Sequence, residues 1–205
     1  MIYMIVPVLL AAMVGFLHGG RLRNLAKVRL CASWIPLAMF TLQLVIVLFP
    51  QGQSELFLGL RPWAMIVTYA LLIAFLYINR RLPGIKLILL GAALNLAVIL
   101  ANGGYMPVTR EALARSGHLD LIIVHDEQAY VLGSKDIVLS EQETRLRLLS
   151  DVVGIPEAFP VSATFSVGDL IIMAGAAGLV YRMMLSDSQR GRKKSMKPSV
   201  NQIQP

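Results

Sequence analysis

Asp169 is the only carboxylate inside an apolar run of this chain, and an ionisable side chain in such a run is a candidate for ligand binding, proton transfer or metal ligation. Its neighbours supply a second account. In Ser166-Val167-Gly168-Asp169 the serine stands three residues before the acid, the spacing at which a hydroxyl caps a helix and a carboxylate lies at its positive N-terminal end. Capping and chemistry both stay open for Asp169. Asn95 and Gln43 lie in the middle of apolar runs, where an amide needs a partner on a neighbouring helix or on a substrate. Arg21, in His18-Gly19-Gly20-Arg21, has the chemistry to grip a lipid phosphate and equally to anchor the chain at a basic surface. His18 falls in a different connection from His118 and His125, so the three histidines cannot form one site. His118 and His125 with Asp120 and Asp126 match no compact ligand pair, so no metal is expected. The chain has no Gly-x-Ser-x-Gly elbow, Walker loop or Gly-x-Gly-x-x-Gly turn. No catalytic residue and no cofactor are assigned on this ground. The single cysteine, Cys31, excludes an internal disulfide.

The elements that must position these residues are five apolar stretches, Ile2–Leu17, Ala32–Phe49, Pro62–Ile78, Ile85–Ala101 and Val167–Leu185. Each is long enough to cross a hydrocarbon core at ~1.5 Å of rise per residue. Hydrophobic residues make up 56% of the chain and charged residues 15%, against about 25% charged in a typical soluble domain. The formal charge of +7 sits largely at the ends of the apolar stretches, which marks topology rather than nucleic-acid binding. Arg21, Arg23, Lys27 and Arg29 fill the first connection and Arg80, Arg81 and Lys86 the third, which places both at the cytoplasmic face. The segment 102–166 has nine acids against five bases, which places it outside. The expected fold is an all-α transmembrane bundle of five spans, N-terminus outside and C-terminus inside, with a small mixed α/β extracytoplasmic cap between spans four and five. Residues 1–101 form the four-span region, 102–166 the cap, 167–185 the fifth helix and 186–205 a disordered basic cytoplasmic tail. Met1 to Leu17 reads as a retained first span rather than a cleaved signal.

The cap segment has its own local grammar. Thr109 is placed to cap a short helix through Arg115, stopped by Gly117, and Leu119–Val124 has the composition of a strand. Tyr130–Leu132 and Ile137–Leu139 flank a turn at Gly133-Ser134-Lys135-Asp136. Ser140-Glu141-Gln142-Glu143 is a capping box that predicts a helix to about Ser150. Small residues at four-residue spacing, Ala11/Gly15 and Ala174/Gly178 with Gly175 beside them, predict close helix approach inside the bundle or between copies of the chain.

One set of motifs goes further. Gly19-Gly20-Arg21-Leu22, Ala101-Asn102-Gly103-Gly104-Tyr105-Met106-Pro107-Val108, Thr144-Arg145-Leu146 through Leu149-Ser150-Asp151 to Ile155-Pro156, and Phe165-Ser166-Val167-Gly168-Asp169 with Gly175 occur in order across residues 1 to 185. The set resembles a bacterial membrane family, domain of unknown function 5317. Ser150 departs from it, since the resemblance puts a glycine there. It implies a multi-pass protein of the bacterial cytoplasmic membrane and brings no activity, cofactor or catalytic residue. It also points to a location: Asn102, Asp151 and Asp169 come from three segments at the outer face, and are expected to converge there in a polar pocket.

Three functions fit the sequence. The first is a non-enzymatic membrane component that binds a lipid or a protein partner, through its small-residue helix faces and its cap. The second is a membrane-embedded enzyme acting on lipid-linked material at the outer leaflet, with Asp169 and Asp151 as acid, base or ligands. The third is a small transporter, for which only Gln43 and Asn95 offer mid-depth polarity.

Overall fold

The computed structural model describes residues 5–48, 55–125, 128–132, 134, 136–140, 142–156, 158–159 and 163–195. Long helices flank a strand-rich middle: α1 is Ile5–Leu17, α2 Trp34–Leu48, α3 Glu55–Ile78, α4 Ile85–Ala101 and α6 Val167–Ser195, while the short α5, Arg110–Arg115, lies within the middle segment. Glycines set two of the boundaries. Gly19 (φ +79°) and Gly103 (φ +67°) adopt the left-handed conformation just past α1 and α4, and the next amides, of Gly20 and Gly104, donate back to Gly15 and Ile99 at 2.8 Å each. This closure satisfies carbonyls that a helix end leaves bare and stops each helix.

The strands all lie between α4 and α6. A four-stranded sheet runs in the order β1 (Met106–Val108), β4 (Asp136–Val138), β3 (Gln128–Val131), β2 (Ile122–His125). β1 and β4 are parallel, with Met106 opposite Asp136, and the other pairs are antiparallel. β5 (Val153–Ile155) and β6 (Ala163–Phe165) form a separate antiparallel pair. α5 covers this layer, with Val108, Ala112, Leu113 and Val131 buried together. Met65, Val98, Ile99 and Met106 form a second core that joins α3 and α4 to the first strand. A third, of Ile35, Phe75, Leu76, Ile85 and Ala92, holds α2, α3 and α4 together.

This corrects the expected all-α five-span bundle. Six strands in two sheets make the described chain mixed α/β. Among the described residues two stretches, Gly59–Ile78 and Val167–Leu185, are helical, long and apolar enough to cross a membrane. Ile5–Leu17 and Ile85–Ala101 are apolar but shorter. α4 coincides with the expected Ile85–Ala101, which at 17 residues is shorter than either qualifying stretch, and α1 is described only from Ile5. α6 continues as helix past Leu185 to Ser195, and residues 196–205, the rest of the expected tail, lie outside the described residues.

Local signals in the middle segment fared unevenly. Thr109 caps α5, its Oγ accepting from the Ala112 amide at 3.2 Å, and Gly117 (φ +71°) follows. The hairpin forms around Ser134, with Tyr130 opposite Ile137. Leu119–Leu121 is a 3-10 turn rather than strand. Half of the Ser140 capping box forms: the Ser140 amide and Oγ both donate to Glu143 Oε2, at 3.3 and 2.6 Å, which holds the exposed Glu143 carboxyl below its ordinary range, while the Glu143 amide goes to the Ser140 carbonyl. No α-helix follows it, because Leu146 turns left-handed (φ +55°) and the Arg145 amide donates to Asn102 instead of up a helix.

Candidate functional site

α4 and α6 run antiparallel with almost no side-chain layer between them. Gly84 and Gly91 on one line face Gly175 and Gly168 on the other. A Cβ on Gly91 would lie 2.4 Å from the Gly168 carbonyl oxygen, and one on Gly175 would lie 2.8 Å from the Ile88 amide nitrogen. Both pairs repeat at seven residues, two helical turns, so the glycines stay on the facing stripe.

The stripe ends in a buried polar cluster. Asn95 and Ser166 are fully buried and Asp169 is 3% exposed. Ser166 Oγ accepts from the Asp169 amide at 3.0 Å, and the Ser166 amide donates back to Asp169 Oδ2 at 3.2 Å. That is a reciprocal cap on the first turn of α6. Asp169 Oδ1 accepts from Asn95 Nδ2 at 2.8 Å, and Ser166 Oγ donates to Asn95 Oδ1 at 3.0 Å. Each carboxylate oxygen therefore has a protein donor, and Asn95 is satisfied at both ends across the helix pair. Gly168 is the residue that lets the amide in: a Cβ there would lie 1.9 Å from Asn95 Oδ1.

The other expected site residues serve different local networks. Asn102, at the end of α4, clasps the middle segment. Its Nδ2 donates to Val98 O at 2.8 Å and Arg145 O at 2.9 Å, while its Oδ1 accepts from the Arg145 amide at 2.9 Å. Asn79 repeats the device at the end of α3, pairing Phe75 O and both backbone groups of Cys31. Asp151 is 2% exposed; its amide donates to Pro107 O at 3.0 Å, extending β1 by a bridge to Val108. Arg21 donates through its backbone amide to Met184 O at 3.0 Å, a carbonyl that also accepts from Asn24 Nδ2 at 2.8 Å. The Gln43 side chain lies outside the described residues. Among the described residues no group of three His, Cys, Asp or Glu is placed to hold a metal.

Sequence reasoning missed a further buried group. Arg61, near the start of α3, is 5% exposed. Its Nη2 donates to the Ser134 carbonyl oxygen, and its guanidinium carbon stands 5.5 Å from the Tyr130 ring centre. Asp136, equally buried, accepts from Ser134 Oγ at 2.5 Å. Tyr105 packs beside Tyr130 at 5.9 Å between ring centres, and its hydroxyl is pushed up to about 12, by burial first and by Tyr130 second. The cluster fastens the hairpin to α3. A lone arginine beyond a loop carries no sequence signal for such burial, whereas the seven-residue spacing of Gly84/Gly91 and Gly168/Gly175 was available and points to the stripe.

Fold and cluster together define a mixed α/β chain in which close-packed apolar helices carry a strand-rich segment at one end. The chain belongs to the family of unknown function DUF5317, whose model matches residues 27–181. That match takes in Asn95, Asn102, Asp151 and Asp169 and leaves Arg21 outside. A protein of Thermotoga maritima described as an uncharacterized protein is 28% identical over 177 residues, covering 84% of this chain and 87% of that protein. No solved structure matches.

Proposed function

We propose that the chain is a non-enzymatic, multi-pass component of the bacterial cytoplasmic membrane that binds lipid. One observation carries this: only 28% of the residues in each of the apolar windows of α3 and α6 are buried within the chain. The remainder presents Trp63, Val67, Tyr77 and Leu170 outward, and α1 and α2 add Leu9, Phe16, Trp34, Leu37 and Phe40. Apolar surface on this scale needs a nonaqueous environment or a large partner. A structural role for Asp169, whose two oxygens are committed to Asn95 and Ser166, speaks for binding over acid–base chemistry. With the basic connections on the cytoplasmic side, the strand-rich segment lies on the other.

Alkaline carbonate washing of membranes from cells expressing the whole chain tests the reading. The protein is expected to stay with the pellet, as bilayer-spanning helices do. Its release into the supernatant would show that the outward apolar faces are covered by something other than lipid.

A further inference from the structure

A cavity of about 580 Å3 opens where the turn between α3 and α4 and the start of α4 meet the Gly178–Arg182 stretch in the middle of α6. Its size falls within the roughly 300–1,000 Å3 of small-molecule sites. Arg80, Arg81, Lys86 and Arg182 line it, and none of the lining residues is acidic. Arg80 is held in place by its own helix end: the guanidinium lies 4.0 Å over the Tyr77 ring and Nη1 donates to Tyr77 O at 2.9 Å. Gly178 forms the α6 wall, and a Cβ there would meet no heavy atom within 4 Å. Open space therefore lies beside Gly178, while Gly84, on the opposite wall, lets the two helices come close.

Four cations around one concavity repel each other, and an oxyanion between them relieves that repulsion. Arginine forks match phosphate oxygens, and such bonds are short and charge-assisted. We infer that this cavity binds the phosphate of an anionic lipid headgroup, with Leu87 offering an apolar wall to the glycerol. The inference rests on the membrane reading above, which brings the α3–α4 turn and the Arg182 level of α6 to the headgroup layer, where basic clusters select anionic lipid.

The test uses the whole chain in vesicles and then in gentle detergent. Flotation with phosphatidylcholine vesicles comes first. Native mass spectrometry then reads which lipid is retained from an equal mixture of phosphatidylglycerol and phosphatidylcholine. The protein is expected to float and to retain phosphatidylglycerol in preference by roughly tenfold, the worth of a charge-assisted contact or two. The preference is expected to vanish in Arg81→Gln/Arg182→Gln and in Gly178→Leu. The leucine variant keeps every charge and its Cβ meets no heavy atom within 4 Å, so its melting temperature is expected not to fall. Excess inorganic phosphate is expected to leave the lipid adduct in place; displacement would overturn the lipid assignment in favour of a soluble phosphate compound. Floating protein with no headgroup preference, or a preference that survives in Gly178→Leu, would overturn the inference and leave the membrane reading standing. Protein that does not float would overturn the membrane reading, and this inference with it.

Discussion

Gly168→Ala is expected to melt far below the parent protein, with a loss of roughly 3–5 kcal/mol from overpacking and broken buried hydrogen bonds. The new methyl would lie 1.9 Å from Asn95 Oδ1 and 2.8 Å from the Gly91 carbonyl oxygen. Neither is the free end of a flexible chain: the amide is tied to Asp169 and Ser166, and the carbonyl is helix backbone. Relief requires α4 and α6 to separate, which would also open the packing at Gly84 and Gly175. Gly178→Ala is the internal control, since its methyl meets nothing and alanine gains up to about 1 kcal/mol over glycine inside a helix. Thermal unfolding of both variants in the same detergent checks the pair. Equal melting temperatures for Gly168→Ala and the parent would show that the helices are not in contact along this stripe.

The second large effect is a rescue. Asp169→Asn replaces one acceptor oxygen by an NH2 group that must face the Ser166 amide or Asn95 Nδ2, both donors. Asn95→Asp makes the opposite error, setting two carboxyl groups against each other. Each single change is expected to cost about 2 kcal/mol or more, because a buried polar group is left facing its own kind. The exchange Asn95→Asp/Asp169→Asn restores a donor opposite an acceptor at every position. The carboxylate, moved to the α4 side, then accepts from the Ser166 hydroxyl and from the amide group moved to the α6 side. The pair is expected to recover at least half of the summed loss, a coupling of about 2–3 kcal/mol. A double-mutant cycle by thermal or denaturant unfolding reads it. Strictly additive losses would mean that Asp169 answers to something other than Asn95, and would return it to the list of carboxylates poised for a ligand.

Legibility in the sequence tracks the range of the interaction that decides each feature. Thr109, Gly117 and the turn at Ser134 act within a few residues, and the helix and hairpin they predict are present. The Ser140 box is equally local and only its carboxylate half forms, and the helix it should start is missing, because Asn102, 43 residues from Arg145, takes both of its backbone groups. Apolarity locates every long helix but not which of them is long enough to cross a membrane: among the described residues two of the five expected spans qualify.

The candidate site divides in the same way. Ser166 and Asp169 form the cap that their spacing indicates. That the cap also reaches Asn95 depends on α4 and α6 being neighbours, which neither segment states alone. Topology groups Asn102, Asp151 and Asp169, whereas their hydrogen bonds run to Arg145, to β1 and to Asn95 respectively. Four-residue spacing of small residues picks out Gly15, which packs against Met184 inside the chain. The dominant stripe repeats at seven, so that spacing passes over Gly84, Gly91 and Gly168.

If the apolar helices cross a bilayer, their basic ends and the strand-rich segment lie on opposite faces of it. The chain offers a native probe: Cys31 is its only cysteine, is exposed, and is paired to Asn79 at the basic end. Leu148, 82% exposed, supplies the matching position in the middle segment. Intact spheroplasts expressing either the parent or Cys31→Ser/Leu148→Cys would be treated with a membrane-impermeant maleimide, before and after permeabilisation. Cys31 is expected to react only after permeabilisation and the cysteine at 148 in intact spheroplasts. Modification of both from the same side would overturn that placement, since an even number of helices would then cross between them, whereas α3 alone, or α2, α3 and α4 together, make an odd number.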